Sequence, residues 1–91
     1  MALIDELKDT LGITGAAQDA ALTAAINRGT AYLNDLAGVT LDFTAEGLPK
    51  SLLLDFCRYA YNNSAEYFEE NFAKEILRMQ LQAAVIENAT D

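Results

Sequence analysis

Apolar positions recur along this chain with the 3.6-residue period of amphipathic helices. Near the amino terminus, Leu3, Leu7 and Leu11 follow one another at intervals of four residues, with acidic side chains in the first turns. We therefore predict a first helix over Ala2–Leu11. Gly12 then provides the left-handed conformation that commonly ends a helix.

A second helix is predicted over Ala17–Ala37, with Thr14 as its cap, Asp19 as an alternative start and Gly38 as its end. One face of this helix carries Leu22, Ile26, Gly29, Leu33 and Leu36 at helical spacing. A glycine inside a helix costs about 1 kcal/mol relative to alanine. Gly29 is therefore either merely tolerated or required by another helix that packs closely against it.

The segment 39–48 is the irregular part of the predicted fold. Val39–Phe43 has the alternating, β-branched pattern of a short strand, and Ala45–Gly47 favours a turn. The connection is longer than most. It is either a plain surface loop or an arm that packs on another subunit, and in the second case Leu41 and Phe43 are its candidate interface residues.

A third helix begins at Leu48, where Pro49 suits the first turn because its missing N–H would be unpaired there anyway. The helix carries a broad apolar band that includes Cys57, for which we predict the role of a small buried hydrophobe. The run Asn-Asn-Ser at 62–64 then interrupts the pattern. It predicts a helix break, and its last two residues are the candidate caps of the next helix.

A fourth helix is predicted over Ala65–Glu87, and it has two apolar faces. The side chains of the predicted core face fall within about 80° on a helical wheel. They are Phe68, Phe72, Ile76, Met79, Ala83 and Ile86. The second face, roughly opposite, consists of Ala73, Leu77, Leu81, Ala84 and Val85. So short a chain offers little to cover a second face, which is therefore the main candidate interface with another subunit.

These patterns together predict a single all-α domain over residues 1–91. The predicted architecture is a small bundle of about four helices with one irregular loop between helices two and three. Hydrophobic residues make up 52% of the chain, which is ordinary for a globular domain. The core is small, so the expected stability margin is modest.

Fourteen acidic residues against six basic ones give a net charge of −8. This charge opposes nucleic-acid binding, which depends on the neutralisation of phosphates. The first two helices are also unsuited to DNA reading, because the second lacks base-reading side chains in its first turns apart from Gln18. The charge indicates a solubilising surface, or a surface that lies near DNA without binding it.

No catalytic, metal or cofactor motif is recognisable, so we predict neither enzyme activity nor a cofactor. The chain has no histidine and one cysteine, which excludes an intramolecular disulfide and the common zinc and haem motifs. The acidic cluster of the fourth helix most simply forms a solvated face. It consists of Glu66, Glu69, Glu70 and Glu75. Aromatic residues between Phe56 and Phe72 either fill the core or occupy an interface.

The first residues of the chain and the length of its apolar runs indicate the cellular compartment. Met1–Leu3 leads directly into charged residues, which predicts that no signal peptide is present. No apolar run reaches the roughly 20 residues of a membrane span. We therefore expect the chain to be made and kept in a cytoplasm-like compartment.

Four segments resemble phage head–tail connector proteins. Leu3–Thr14 is similar to the start of that family, and Tyr32–Gly38 is similar to the end of its second helix. Asp55–Ser64 and Glu66–Phe72 resemble its third and fourth helices. The likeness covers nearly the whole chain, and it lies in the order and spacing of helix ends and apolar positions.

The resemblance implies a structural subunit that forms a ring, usually dodecameric, under the portal of a tailed-phage capsid. The partners implied are other copies of the chain, the portal protein, and tail or adaptor proteins. The location implied is the head–tail junction of the virion, after synthesis in the host cytoplasm. DNA passes through such a ring without being specifically bound. The alternative is a small acidic helical adaptor or regulatory module, which a dimer or a one-to-one complex would indicate.

Overall fold

The computed structural model describes the backbone of residues 2–89 and the side chains of residues 2–85. Over this range the chain is all-helical and contains no strand, which confirms the predicted class. The α-helices are α1 (Leu3–Leu11), α2 (Asp19–Ala37), α3 (Leu48–Tyr61), α4 (Phe68–Asn71) and α5 (Ala73–Ala89). A single 3₁₀ turn, Ala65–Tyr67, precedes α4.

The first two helices end as their glycines predict. Gly12 and Gly38 both adopt the left-handed conformation, with φ of 72° and 75°. After α1, the Ile13 N–H donates to the Lys8 carbonyl at 2.9 Å, and Ile13 packs against the core. This hydrogen bond satisfies a carbonyl at the helix end that would otherwise lack a partner. The second helix begins at Asp19, the alternative start, rather than at Ala17.

The core lies where α1, α2, α3 and α5 meet, and Phe68 of α4 reaches into it. Its largest fully buried side chains are Phe68, Leu7, Leu22, Leu33, Leu52, Leu53 and Met79. Helix α2 approaches α3 at Gly29, where an added Cβ would lie 2.7 Å from Leu53 Cδ1 and 2.8 Å from Phe56 Cδ2. Of the two interpretations of this glycine, the structure therefore selects close packing.

The predicted fourth helix is interrupted, so the prediction of about four helices was too low. The Asn-Asn-Ser break is present, and Asn63 adopts a positive φ of 57°. Ser64 does not cap the next helical segment, because its hydroxyl donates to the Asn62 carbonyl instead. The chain first makes a 3₁₀ turn and the short α4, and then leaves helical geometry at Phe72, with φ −112° and ψ 21°.

The break accompanies a cluster of aromatic rings around Phe68. This buried ring lies 4.8 Å from Phe72, 5.4 Å from Phe56 and 5.8 Å from Tyr59, between centroids. Most of these contacts are edge-to-face, an arrangement that aromatic rings favour. The aromatic residues of the α3–α4 corner therefore mainly fill the core, while Tyr61 and Tyr67 remain exposed.

The irregular connection between α2 and α3 folds against its own chain. Phe43 is only 7% exposed and belongs to the core, and Leu41 is partly buried. The Leu41 N–H donates to Asn34 Oδ1 at 2.8 Å, which ties the loop to the end of α2. The Asp42 carboxylate accepts hydrogen bonds from Thr44, which lower the pKa of Asp42.

Among the described residues, no helix combines the length and the apolar character needed to cross a membrane.

Candidate interaction surface

Helix α5 separates its apolar side chains into two faces. Ile76, Met79 and Ala83 are buried against the other helices, as predicted for the core face. The Gln80 side chain donates to the Leu36 carbonyl at 3.0 Å and further ties α5 to α2. Ile86, the last residue predicted for this face, lies outside the side chains that the structure describes. The orientation of α5 is thereby fixed along most of its length.

The opposite face of α5 is exposed. Leu77 is 56% exposed, Leu81 is 60% exposed and Val85 is 68% exposed. Ala73 and Ala84 are exposed beside them. Single exposed apolar residues are common on protein surfaces, but three large ones on successive turns of one helix form a contiguous apolar stripe. We call these five residues the α5 face.

Two basic side chains lie in the same sector of α5. At 100° per residue, Lys74 and Arg78 fall at about 60° and 100° from Leu77, beside Leu81 and Val85. Both are exposed, and neither forms a salt bridge with any residue of the described part of the chain. Apolar periodicity alone did not single out these two residues, although their helical positions were already evident from the spacing.

Phe43 does not belong to this surface, contrary to its selection as an interface candidate. Its ring is buried within the chain, so it is not available to a partner in this conformation. Leu41 is partly buried and packs against the same core. The candidates in the α2–α3 connection therefore serve the intrachain core, and the exposed candidates are those of α5.

A second polar feature is an ion-pair cluster around Lys50. The Lys50 side chain is buried at the start of α3, and its Nζ lies 2.6 Å from Glu6 Oε1. Nζ also donates to the Glu46 carboxylate, and these hydrogen bonds raise the pKa of Lys50. The cluster joins α1, the loop and α3, so its evident role is structural. No sequence signal indicated the cluster, because the three residues come from separate elements.

A polar cleft of about 290 Å³ lies at the corner between α3 and α4. Several of its lining side chains already engage other polar groups of the chain. Asn71 donates to the Tyr59 hydroxyl at 2.9 Å, and Arg58 lies 3.3 Å from Asp55. Since these groups satisfy each other, the cleft shows no arrangement of polar atoms aimed at a ligand.

The thiol and the acidic cluster that the sequence singled out lie in different environments. Cys57 is fully buried, as predicted, and burial raises the pKa of its thiol to about 11. Glu66, Glu69 and Glu70 are exposed, which agrees with a solvated acidic face. Within the described residues, no group of three or more cysteine, aspartate or glutamate side chains is arranged to hold a metal ion.

Comparison of the chain with protein-family models, with characterised proteins and with solved structures finds no significant match. The function is therefore inferred from the residues and geometry of the chain itself.

Proposed function

We propose that this chain is a structural subunit of a tailed-phage head–tail connector. In this role, copies of the chain assemble into a ring that docks on the portal and receives the tail or the next adaptor. The role is non-enzymatic and belongs to the head–tail junction of the virion. The proposal combines the sequence resemblance with one structural observation, the exposed α5 face.

The α5 face supports an assembly role because its exposure has no explanation within the chain. Leu77, Leu81 and Val85 lie on the side of α5 opposite the buried Ile76 and Met79. Burying apolar surface is favourable by roughly 25 cal/mol per Å². A ring subunit needs a patch that meets a different patch on its neighbour, and a helix with one face inward and one outward provides such a patch.

The charge of the chain is compatible with this role. A net charge of −8 disfavours tight contact with phosphates, so DNA would pass through the ring without being bound. The alternative role, a small acidic adaptor or regulatory module, would use the same face for a single partner. The two roles differ in the stoichiometry of the assembly.

The substitution Leu81→Glu tests the proposal. It places a charge at the centre of the α5 face and leaves the buried face unchanged. Burying an unpaired charge at a contact costs several kcal/mol, so we expect assembly to weaken at least about a hundredfold. Gln82→Glu is the matched control, because it adds the same charge at an exposed neighbouring position of the same helix.

The mass of the assembly is measured by light scattering and native mass spectrometry. Electron microscopy, with and without a tailed-phage portal protein, shows whether rings form. The wild-type chain and Gln82→Glu should form closed rings, alone or on the portal, whereas Leu81→Glu should stay a folded monomer. A discrete dimer or a one-to-one complex would favour the adaptor role. Unfolding of the isolated chain by Leu81→Glu would show that the residue belongs to the intrachain core.

A further inference from the structure

The chain has six basic residues, and four of them are engaged within the molecule. Lys8 lies 2.6 Å from Asp19 Oδ1, and Arg58 lies 3.3 Å from Asp55. Lys50 is held by Glu6 and Glu46, and Arg28 lies over the ring of Phe56 at 5.6 Å. The remaining two are Lys74 and Arg78. Three cations therefore lack a salt bridge within the described part of the chain: Arg28, which lies over an aromatic ring, and Lys74 and Arg78, which lie together beside the α5 face.

An apolar stripe flanked by two cations fits a partner surface that is both apolar and acidic. This chain has such a surface itself. Glu66 in the 3₁₀ turn and Glu70 in α4 are both exposed, and Tyr67, next to Glu66 in sequence, is 54% exposed. Tyrosine suits an interface because it combines a large apolar ring with a hydrogen-bonding hydroxyl. We call these three residues the acidic–aromatic patch.

Other exposed carboxylates lack this combination. Asp9 on α1 and Asp35 on α2 are exposed, but the large exposed apolar side chains of the described residues lie elsewhere. Those side chains are Tyr61, Tyr67, Leu77, Leu81 and Val85. Glu69 is also less available, since its carboxylate accepts a hydrogen bond from the Tyr32 hydroxyl at 2.8 Å. Tyr67 therefore distinguishes one acidic region from the others.

We propose that the α5 face of one copy of this chain packs on the acidic–aromatic patch of a second copy. The proposal rests on the assembly role proposed above and names the partner surface. Leu77, Leu81 and Val85 would cover the Tyr67 ring, and Lys74 and Arg78 would face Glu66 and Glu70. Joining two different patches in this way is the type of contact that extends from subunit to subunit around a ring.

Two charge-reversed proteins test the pairing. Lys74→Glu with Arg78→Glu makes the α5 face acidic, and Glu66→Lys with Glu70→Lys makes the patch basic. Each protein alone would bring like charges together at every contact, which opposes association. Their equimolar mixture would again bring opposite charges together, because each altered surface meets the other. We expect each variant alone to self-associate about tenfold more weakly than wild type, because two exposed ion pairs at each contact are replaced by like-charge pairs.

The readout is the self-association constant from sedimentation velocity in solution, and the occupancy of rings on the portal if assembly requires it. The mixture should recover wild-type association to within about twofold. Since these charges are exposed, raising the salt concentration should weaken wild-type assembly. The matched control is Asp9→Lys with Asp35→Lys, which changes the net charge equally at exposed sites outside the patch. This control alone should associate like wild type. Mixed with the acidic α5 variant, it should leave that variant's α5 face unpaired, so the variant can bind only through its own unaltered patch and cannot enter a closed ring.

The possible failures separate the two proposals. Suppose that Leu81→Glu blocks assembly but the mixture of charge-reversed proteins does not assemble. The α5 face then meets a different surface, and only its proposed pairing with the acidic–aromatic patch is wrong. If the wild-type chain does not assemble in solution or on the portal, both proposals fall. Circular dichroism should show native helicity for every variant. If a charge-reversed protein shows reduced helicity, the variant with glutamine at the same two positions is used in its place. Each glutamine variant alone should lose less association than the charge-reversed protein.

Discussion

At Gly29, helix α2 comes into contact with α3 because the residue has no side chain. A Cβ there would lie 2.7 Å from Leu53 Cδ1 and 2.8 Å from Phe56 Cδ2. Both neighbours are buried, so neither can move away without disturbing the core. The sequence could mark this glycine as unusual, because it costs helix stability. The sequence could not tell close packing from tolerance, because the opposing residues belong to another helix.

Gly29→Ala should destabilise the protein by about 1–3 kcal/mol, since overpacking a filled core outweighs the roughly 1 kcal/mol gained in helix propensity. Thermal unfolding followed by circular dichroism should show a Tm lowered by at least several degrees. Ala31→Gly, at an exposed position of the same helix, is the control and should cost only about 1 kcal/mol. A higher Tm for Gly29→Ala would contradict the close contact.

At the scale of elements, the sequence predicted three helix boundaries at the residue where the structure has them. Leu11, Ala37 and Leu48 are ends or starts of the observed helices at the predicted residues. These boundaries are set by local chemistry, namely glycines in the left-handed conformation and a proline in the first turn. The break at Phe72 has no such signal, since neither proline nor glycine is near it. It accompanies packing among aromatic rings of α2, α3 and α4, which a single stretch of sequence does not reveal.

Phe68 and Tyr67 are neighbouring aromatic residues with opposite environments. Phe68 is fully buried at the centre of the aromatic cluster, whereas Tyr67 is largely exposed. Phe68→Ala should cost about 3–5 kcal/mol, because it removes a large buried ring. Tyr67→Ala should change the free energy of unfolding by less than about 0.5 kcal/mol. Urea denaturation measures both values, and Phe68→Leu gives a smaller loss if the alanine variant does not fold. Equal effects at the two positions would argue against the observed orientation of α4.

At the scale of the whole molecule, the pattern of apolar faces predicted which side of the last helix enters the core. It did so because burial of a helix follows its own periodicity. The role of Phe43 was not predictable in this way, since a loop has no fixed period and its path depends on the tertiary fold. The same holds for Lys50, whose carboxylate partners lie on α1 and in the loop. The α5 face and the positions of Lys74 and Arg78 beside it could be found from sequence, but only the structure shows that the other four cations are engaged within the molecule.

Three groups in different parts of the molecule make its stability sensitive to alkaline pH. Burial raises the pKa of Cys57 to about 11. Burial and the hydrogen bond to Glu69 raise the pKa of Tyr32 to about 12. Hydrogen bonds to Glu46 and Glu6 raise the pKa of Lys50. In each case the folded chain keeps a proton that the unfolded chain releases at lower pH. Stability is therefore fully present at neutral pH and falls as pH rises through the window between the unfolded and folded values.

We expect the free energy of unfolding to be nearly constant from pH 7 to about pH 8.5 and to fall progressively above about pH 9. Urea denaturation at a series of pH values measures this decline, with 0.5 M salt added to screen the growing negative charge. Cys57→Ala should lower stability at neutral pH through loss of packing, but it should make the decline between about pH 9 and pH 11 shallower by up to about 2–3 kcal/mol. The complete burial of Cys57 among core side chains disfavours its thiolate in the folded chain. An identical decline in the two proteins would instead show that the thiol ionises equally easily in the folded and unfolded chains.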